Sequence, residues 1–182
     1  TNIIKAGADI AKCGIGNGEL CETKIKTGVG YEQLSVAIEC GQAANELKSL
    51  CCSDGGCKAP GDICKALGAG SHMVMVGSLF CGYEQNEGEW EEEFEIKNST
   101  VTGKTVKKRL KVYGMSSKLA NNKYFGGLKD YRTSEGKEMW VSYKGDVNDL
   151  AIDIKGGLAS CCTYTNTRNL ENLHKNCVFG LV

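Results

Sequence analysis

Three short apolar segments, each ending in a polar or glycine-rich turn, organise the first half of the chain. Apolar runs at 8–15, 50–53 and 72–76 predict strands, and the last is apolar on both faces, as in a buried parallel strand. Helices are predicted over 31–48, where apolar residues recur every three or four positions, and over 60–67, which opens on a proline. Repeated strand–loop–helix units indicate a parallel α/β fold whose loops gather at one end of the sheet.

The pattern changes in the second half. Seven glutamates at 84–95 are followed by five basic residues at 104–111, with apolar residues alternating among them. This predicts a charged hairpin, inserted at about 84–111, with opposite charges facing each other across its strands. The remaining predictions are helices over 117–124, 147–160 and 170–174, with loops over 24–29 and 126–139.

Composition excludes several classes of protein. The chain has 182 residues, enough for one domain, and 22 basic residues balance 22 acidic ones, so no net field favours nucleic acid or a membrane surface. No apolar run is long enough to span a bilayer, and the first residues do not resemble a signal peptide. Eleven cysteines without an export signal indicate thiols in a reducing compartment, so a cytoplasmic location is expected.

The candidate chemistry lies in the glycine-rich loop that follows the first predicted strand. Glycines at 14, 16 and 18 lead to Cys21, and Thr23 follows two residues later. Such a loop lets the backbone approach a ligand closely, and Cys21 at its tip is a candidate nucleophile. The alternative is that Cys21 is a small buried residue, as cysteines usually are, and the loop context favours the nucleophile.

Several motifs, in a consistent order, resemble one known family. The motifs are G-x-G-x-x-C-x-T at Gly16–Thr23, then Ser53–Cys57, Met75–Ser78 and Tyr113–Ser117. Together they resemble the IMP dehydrogenase/GMP reductase family. Four further segments are similar to its GMP reductase branch: Lys26–Tyr31, Tyr131–Lys137, Lys144–Val147 and Cys162–Tyr164. The short stretch before Glu135 is also typical of that branch. The resemblance covers the chain except for the charged insertion.

The resemblance implies a (β/α)8 TIM barrel, of which this α/β chain looks like the C-terminal part. Residues 1–182 would supply strands six to eight and the following helices of a single catalytic domain. Three parallel strands alone leave two bare sheet edges, which favours association. We therefore predict that the chain is a fragment, or that it pairs with a piece supplying the missing strands.

The resemblance also implies an activity: NADPH-dependent reductive deamination of GMP to IMP and ammonia. Cys21 would form a covalent thioimidate with the purine, and Thr23 and Glu135 would handle the proton given to the departing ammonia. Two alternatives stay open. One is a nucleotide-binding or structural protein without turnover, and the other is IMP dehydrogenase activity.

Residues matching the family's motifs imply the remaining ligand contacts. Asp54 would bind the ribose. The phosphate would be bound by Gly55, Gly56, Gly77 and Ser78, and the base by Gly114, Met115 and Ser116. The segment that closes over the base would contain Arg132, Thr133, Ser134 and Gly136. NADPH would meet Met115, Tyr131 and Arg132, and, from a neighbouring subunit of a homotetramer, Ser160, Cys161, Cys162 and Thr163. A monovalent cation such as potassium would lie at Gly16, Gly18, Cys21 and Lys24.

The loop departs from the family pattern Gly-Pro-Gly-Ser-x-Cys-Thr-Thr-Arg at four positions: Asn17, Glu19, Glu22 and Lys24. Glu19 replaces a serine that helps to hold the phosphate, and a carboxylate a few ångströms from a phosphate is repelled by about 1 kcal/mol. Glu22 adds a second negative charge beside Cys21. Both substitutions favour the alternative of nucleotide binding without turnover.

Overall fold

The chain divides into two units, which the computed structural model describes over residues 1–180. The first unit contains residues 1–19, 23–79 and the chain from 151 onward. The second contains residues 20–22 and 80–150. Each unit has its own three-stranded sheet, and the described residues form no closed barrel.

The sheet of the first unit is parallel. It consists of β1 (Ile10–Cys13), β2 (Leu50–Asp54) and β3 (Met73–Met75), with β2 in the centre. Ile10 lies opposite Leu50, and Cys52 lies opposite Met73. The prediction of three successive parallel strands is therefore confirmed. Within residues 1–180, β1 and β3 each pair with β2 alone, so both outer edges of this sheet are open.

The third strand is less buried than its sequence predicts. Met73 and Met75 are 37% and 48% exposed, and Ile10 on β1 is 45% exposed. The prediction that β3 is buried on both faces is wrong for these residues, because no other described segment covers these side chains. An apolar sequence shows that a strand is suited to burial, but it does not identify the segment that covers the strand.

Within residues 1–180, seven helices accompany the two sheets. They are α1 (Asn2–Lys5), α2 (Thr23–Thr27), α3 (Gln33–Glu46), α4 (Pro60–Gly68), α5 (Lys118–Tyr124), α6 (Val147–Tyr164) and α7 (Leu173–Asn176). Helix α6 is longer than the predicted 147–160. A 3₁₀ turn (Leu170–Asn172) precedes α7, so the helix predicted at 170–174 is divided between two conformations.

Helices α3 and α4 begin as their sequences predict. On α3, four small or branched residues are buried, at Val36, Ala37, Gly41 and Ala44. On α4, Pro60 occupies the first turn, and the Asp62 carboxylate accepts the main-chain N–H groups of Lys58 and Ala59 at 3.0 and 3.1 Å. A carboxylate there satisfies donors that the helix leaves free and lies at the positive end of the helix dipole.

One predicted loop is a helix. Residues 24–29 carry no apolar periodicity, yet α2 spans Thr23–Thr27. The Thr27 hydroxyl donates to the Thr23 carbonyl at 2.7 Å and thereby closes this single turn. The prediction failed because so short a helix buries no apolar stripe that would mark it in the sequence.

The sheet of the second unit is antiparallel and contains the predicted hairpin. It consists of β4 (Trp90–Lys97), β5 (Thr100–Tyr113) and β6 (Glu138–Ser142), with β5 in the centre. The hairpin is confirmed, although its strands begin later and end later than 84–111. Strand β6 falls at the end of the stretch predicted as a loop, because five alternating residues far from their partner strand give only a weak sequence signal.

Opposite charges face each other across this hairpin, as predicted. Glu91 lies opposite Arg109, and their side chains are 2.5 Å apart. Lys108 lies 3.1 Å from Glu93, and Lys107 lies 2.9 Å from Glu84. These exposed pairs add modest stability, and the apolar anchor of the sheet is Leu110, which is 3% exposed.

The cysteines are concentrated in the first unit, which holds nine of the eleven, and all are thiols. Burial, together with neighbouring Cys161, raises the pKa of the Cys64 thiol to about 11, and burial together with Cys13 raises that of Cys40 to about 11. In this setting cysteine acts as a small apolar residue. No helix within residues 1–180 is long and apolar enough to cross a bilayer.

Candidate active site

The segment around Cys21 is held by main-chain pairing within the second unit. The Glu22 N–H donates to the Glu135 carbonyl at 2.6 Å, and the Lys137 N–H donates to the Leu20 carbonyl at 3.0 Å. Cys21 therefore lies opposite Gly136 in a short antiparallel bridge. Two of the three candidate catalytic residues, Cys21 and Glu135, are brought to neighbouring positions by this bridge.

A third segment joins the same cluster from the other side. The Glu135 N–H donates to the Ser116 carbonyl at 3.2 Å, and the Gly114 N–H donates to the Lys137 carbonyl at 3.0 Å. Ser117 and Gly136 form a parallel bridge, and the Ser117 hydroxyl caps α5 by accepting the Ala120 N–H. Segments 20–22, 114–117 and 135–137 thus lie side by side, and we call them the cysteine cluster.

Close approach of these segments requires glycine at two positions. A Cβ atom on Gly136 would lie 2.6 Å from the Ser117 nitrogen and 3.0 Å from the Ser116 carbonyl carbon. A Cβ on Gly114 would lie 2.9 Å from the Leu20 carbonyl oxygen. The neighbouring atoms are main chain in each case, so they cannot yield as a flexible side chain would.

The cluster collects much of the predicted site. Besides Cys21 and Glu135, it contains the predicted substrate residues Gly114, Met115, Ser116 and Gly136, and Ser134 is tied to it because its hydroxyl donates to the Gly136 carbonyl at 3.2 Å. Cys21 and Glu135 are half-buried, whereas Met115 is 60% exposed and Tyr131 is 86% exposed. Arg132 and Thr133 lie on the exposed loop next to Tyr131, also in this unit.

The strand ends of the first unit are tied together by one side chain that the sequence did not reveal. The Gln33 amide, at the start of α3, donates to the Cys13 carbonyl at 3.1 Å and to the Ser53 hydroxyl at 2.8 Å. Cys13 is the last residue of β1, and Ser53 is the last but one of β2. Glutamine on a helix gives no sequence signal for such a role, because only the fold brings its partners within reach.

Asn17 extends this connection into the glycine-rich loop. Its amide nitrogen lies 2.7 Å from both the Gln33 Oε1 and the Tyr31 carbonyl, and its own carbonyl accepts the Gly56 N–H at 3.0 Å. We call Asn17, Gln33 and Ser53 the amide network. It fixes the loop against Gly55 and Gly56, so predicted phosphate-binding glycines lie beside the loop that leads to Cys21.

Asp54, the predicted ribose ligand, ends β2 and is paired with Lys12 of β1. Lys12 bonds to the Asp54 Oδ2, and this hydrogen bond raises the pKa of the lysine above its ordinary value. The Oδ1 atom receives no hydrogen bond from residues 1–180. The carboxylate therefore keeps one acceptor atom for a hydroxyl ligand while Lys12 fixes its position.

The other strand-end residues lie in the same unit. Gly77 follows β3, and Ser78 begins a 3₁₀ turn, Ser78–Phe80. Thr23, the predicted proton relay, is the first residue of α2. Thr23 belongs to the first unit and Glu135 to the second, so the relay between them stays a prediction.

The predicted cation ligands Gly16 and Lys24 interact through the lysine side chain. Gly16 has a φ of +78°, and a Cβ atom there would lie 2.7 Å from the Lys24 Cγ. The Lys24 ammonium is 2.9 Å from the Glu32 carboxylate. Because an ammonium cannot bind a metal cation, only the main-chain carbonyl of Lys24 could serve as a ligand beside those of Gly16, Gly18 and Cys21.

The predicted cofactor segment Ser160–Thr163 forms the last turns of α6, in the first unit. Tyr131 and Arg132 lie in the second unit. Cys162 and Thr163 line a pocket of about 590 Å³ along α6. Residues 1–180 bring together no three His, Cys, Asp or Glu side chains that could hold a metal ion.

Comparison with known proteins defines the class to which this arrangement belongs. The whole chain, residues 1–182, matches the IMP dehydrogenase / GMP reductase domain. The chain belongs to this family. The resemblance that its motifs carry is therefore confirmed.

Several curated relatives of the chain are GMP reductases. The chain is 46% identical to GMP reductase 1 of Homo sapiens over 177 residues, which cover 97% of the chain and 48% of the human protein. It is equally similar to the GMP reductase of Caenorhabditis elegans, of which 46% is covered, and 44% identical to that of Enterobacter sp. (strain 638). The chain spans about half the length of these relatives.

A solved structure gives the same result. A cysteine-to-alanine variant of GMP reductase from Trypanosoma brucei, crystallised with guanosine 5′-monophosphate, superimposes with a TM-score of 0.79. The identity is 30%, and the match covers 96% of this chain and 34% of the other. The α/β fold is therefore shared across nearly the whole chain.

Proposed function

We propose that this chain carries the nucleophile of a GMP reductase, which converts GMP to IMP and ammonia at the expense of NADPH. The observation that carries the proposal is the cysteine cluster, in which main-chain bonds set Cys21 beside Glu135 and Gly136. A half-buried loop thiol, a carboxyl group and a run of main-chain groups are the parts that covalent chemistry at a purine requires. The GMP reductase relatives support the assignment.

The chemistry follows from these groups. The Cys21 thiolate adds to C2 of the purine, and the amino group at C2 leaves as ammonia, which yields a thioimidate bonded to the cysteine sulfur. Glu135, through the Thr23 hydroxyl, supplies the proton that the departing nitrogen requires. NADPH, when bound, supplies the hydride that C2 accepts. The bond between C2 and the Cys21 sulfur then breaks, which releases IMP and restores the thiolate. In total, GMP, NADPH and two protons yield IMP, NADP⁺ and ammonium.

Both units supply groups for the proposed substrate contacts. In the first unit, the Asp54 Oδ1 accepts a ribose hydroxyl, and main-chain N–H groups at 55–56 and 77–78 bind the phosphate. In the second unit, residues 114–116 meet the base, and 132–136 close over it. Each assignment is a proposal that rests on the family's motifs.

The chain also presents groups that suit two further ligands, NADPH and a potassium ion. Exposed Met115, Tyr131 and Arg132 offer an apolar surface and a cation to NADPH. A potassium ion would be bound by carbonyl oxygens of Gly16, Gly18, Cys21 and Lys24, the hard ligands that such a cation prefers. Its role would be to hold the loop in one conformation.

We also propose that further strands complete the parallel sheet as part of a (β/α)8 barrel. The open edges of β1 and β3 and the exposed Met73 and Met75 support this, because bare edges and apolar strand residues favour association. Those strands come from the rest of a longer chain or from another chain. A homotetramer, with Ser160–Thr163 serving a neighbouring subunit, is part of the same proposal.

The decisive experiment follows NADPH absorbance with GMP present, for the wild-type protein and for Cys21→Ser. Cys52→Ser is the matched control, since it removes a half-buried thiol on β2. We expect turnover in the wild type and the control, and none in Cys21→Ser. Mass spectrometry of the wild type with GMP should detect the purine adduct on the peptide that contains Cys21.

Two other outcomes would replace the proposal. Nucleotide binding without turnover in any variant would support a binding protein, in which the carboxylates of Glu19 and Glu22 oppose the chemistry. Reduction of NAD⁺ in the presence of IMP would support IMP dehydrogenase activity.

A further inference from the structure

Lys12, a residue to which no sequence motif assigns a role, lies on the same face of the parallel sheet as Asp54. It is opposite Cys52 in the pairing of β1 with β2, and Asp54 follows Cys52 by two residues. Because side chains alternate between the two faces of a strand, all three lie on one face. Ser53, which bonds to Gln33 of α3, lies on the other. Lys12 is therefore placed beside the proposed ribose ligand, on the face that α3 does not cover.

The main chain of Asp54 is fixed on both sides. A Cβ atom on Gly14 would lie 2.2 Å from the Asp54 carbonyl oxygen, so this close approach requires glycine. On the other side, Asp54 pairs with Met75 of β3. Since the backbone is held in place, the torsions of the Asp54 side chain alone decide where its carboxylate is directed.

One hydrogen bond determines those torsions. The Lys12 ammonium donates to the Asp54 Oδ2, and residues 1–180 form no other hydrogen bond or ion pair with the Asp54 side chain. The same bond is the main reason that the pKa of Lys12 lies above its ordinary value. The charge of the lysine is thus engaged by this one carboxylate, and the Oδ1 atom is left to accept a hydrogen bond from a ligand.

This arrangement suits a ligand with hydroxyl groups. An ionised carboxylate only accepts hydrogen bonds, and the hydroxyls of a ribose can donate them. A carboxylate that Lys12 already orients does not have to be ordered when the ligand binds, so less affinity is lost. We propose that Lys12 is a positioning residue, which directs the Asp54 Oδ1 to the ribose and thereby makes the site select ribonucleotides over nucleotides without these hydroxyls. This inference rests on the proposed function, in which Asp54 binds the ribose.

Two other roles for Lys12 lead to different results. If the pair served only the fold, its removal would have little effect, because Lys12 is exposed and exposed ion pairs add little stability. If Lys12 bound the substrate phosphate directly, its removal would weaken every nucleotide 5′-monophosphate to the same extent, whatever its sugar. A positioning role alone changes the preference between two sugars.

The experiment measures that preference by calorimetry without NADPH, so that it does not depend on turnover. GMP and 2′,3′-dideoxyguanosine 5′-monophosphate, which lacks both ribose hydroxyls, are titrated into the wild type, Lys12→Met, Lys12→Arg and the control Lys5→Met. Lys5 is an exposed residue at the end of α1 in the same unit, and it forms no ion pair within residues 1–180. Thermal melting confirms that all four proteins are folded.

We expect the wild type and Lys5→Met to bind GMP about tenfold or more tightly than the dideoxy analogue, because hydrogen bonds to charged groups are strong. In Lys12→Met the two affinities should differ by less than about threefold, since the carboxylate is no longer oriented. Lys12→Arg should keep most of the preference, because a guanidinium also donates to a carboxylate. In turnover, Lys12→Met should raise KM for GMP and leave kcat nearly unchanged.

Equal binding of the two nucleotides by the wild type, or an unchanged preference in Lys12→Met, would overturn the inference. Weakening of both nucleotides to the same extent would also overturn it and assign Lys12 to the phosphate. If GMP-dependent NADPH oxidation persists in these cases, the proposed function still stands. A preference that is lost in Lys12→Met and kept in Lys12→Arg, in a protein without GMP turnover, would refute the proposed reaction and leave the inference intact.

Discussion

The two units hold their candidate site segments by different means. In the second unit, main-chain hydrogen bonds join segments 20–22, 114–117 and 135–137, so the cysteine cluster depends on the backbone. In the first unit, the glycine-rich loop is held by side-chain amides of Asn17 and Gln33. A main-chain connection tolerates most side-chain changes but not a steric clash. A side-chain connection fails when a single amide is lost.

The largest effect is therefore expected from a clash in the cysteine cluster. Gly136→Ala places a methyl group against the main chain of Ser116 and Ser117 and should cost about 3 kcal/mol of stability. Turnover should fall with it, since Cys21 pairs with this residue. Both tryptophans, Trp90 and Trp140, lie in the second unit, so fluorescence-monitored denaturation reports on this unit directly.

The control for this change is Gly156→Ala on α6. A Cβ there meets no atom within 4 Å, and alanine favours a helix over glycine, so stability should be unchanged or slightly higher. If Gly136→Ala kept full stability and turnover, the cysteine cluster would not be what positions Cys21.

A smaller loss is expected when the amide network is broken. Gln33→Ala removes hydrogen bonds to Cys13, Asn17 and Ser53, which should cost about 2 kcal/mol at about 1 kcal/mol or less per bond. GMP affinity should fall as the loop loosens. The helix signal in circular dichroism reports mainly on the first unit, which contains most of the helical residues, and its denaturation midpoint should fall. The midpoint measured by tryptophan fluorescence, which reports on the second unit, should not change.

Gln42→Ala is the matched control on the same helix. The Gln42 side chain is exposed and, among residues 1–180, bonds only to Glu46, one turn away, at 3.0 Å, so its loss should cost less than about 0.5 kcal/mol. Equal effects of the two substitutions would show that α3 tolerates any amide loss and that the network has no special role.

This contrast also marks what the sequence could predict. The parallel strands and the hairpin were recognisable because apolar periodicity and charge pattern are local. Among the proposed catalytic and substrate residues of the cysteine cluster, Cys21 was indicated by its glycine-rich loop, whereas the others were proposed because their motifs resemble a family. Nothing local marks Gln33 as the residue that connects β1 with β2, since its partners are 20 residues away in either direction.

The missed elements have a similar cause. Strand β6 and helix α2 are short, so each depends on partners or on one side-chain bond rather than on periodicity. The exposure of β3 was not predictable either, because an apolar strand does not reveal which segment covers it. The relation between Thr23 and Glu135 stays a prediction because the two residues belong to different units.

The units also differ in the side-chain chemistry that stabilises them. The first unit is rich in thiols and the second in ion pairs, so high pH should weaken one and high salt the other. Burial raises the pKa of Cys64 to about 11, above the ordinary thiol value of about 8.5. The folded state therefore holds this proton more tightly than the unfolded state.

The sign of the pH effect follows from linkage. The stabilisation is fully present below about pH 8.5 and is lost as pH rises towards about 11, because the unfolded thiol ionises first. After allowance for solvent screening, the loss should be on the order of 1 kcal/mol. Urea denaturation followed by circular dichroism across this range should show the decline. Cys64→Ala should flatten it, and an unchanged slope would remove Cys64 as its source.

The smallest effect is expected in the charged hairpin. Lys108 lies 3.1 Å from Glu93 and 3.7 Å from Glu91, with its side chain 48% exposed. Lys108→Gln should cost about 0.5 kcal/mol at low salt, and the cost should vanish near 1 M salt, where charges are screened within about 3 Å. Lys104→Gln is the control on the same strand, because Lys104 forms no ion pair within residues 1–180. Fluorescence-monitored denaturation at both salt concentrations separates the variants. A loss that persists at high salt would mean that Lys108 acts through packing of its aliphatic stem, and the contrast between a thiol-rich and a charge-stabilised unit would weaken.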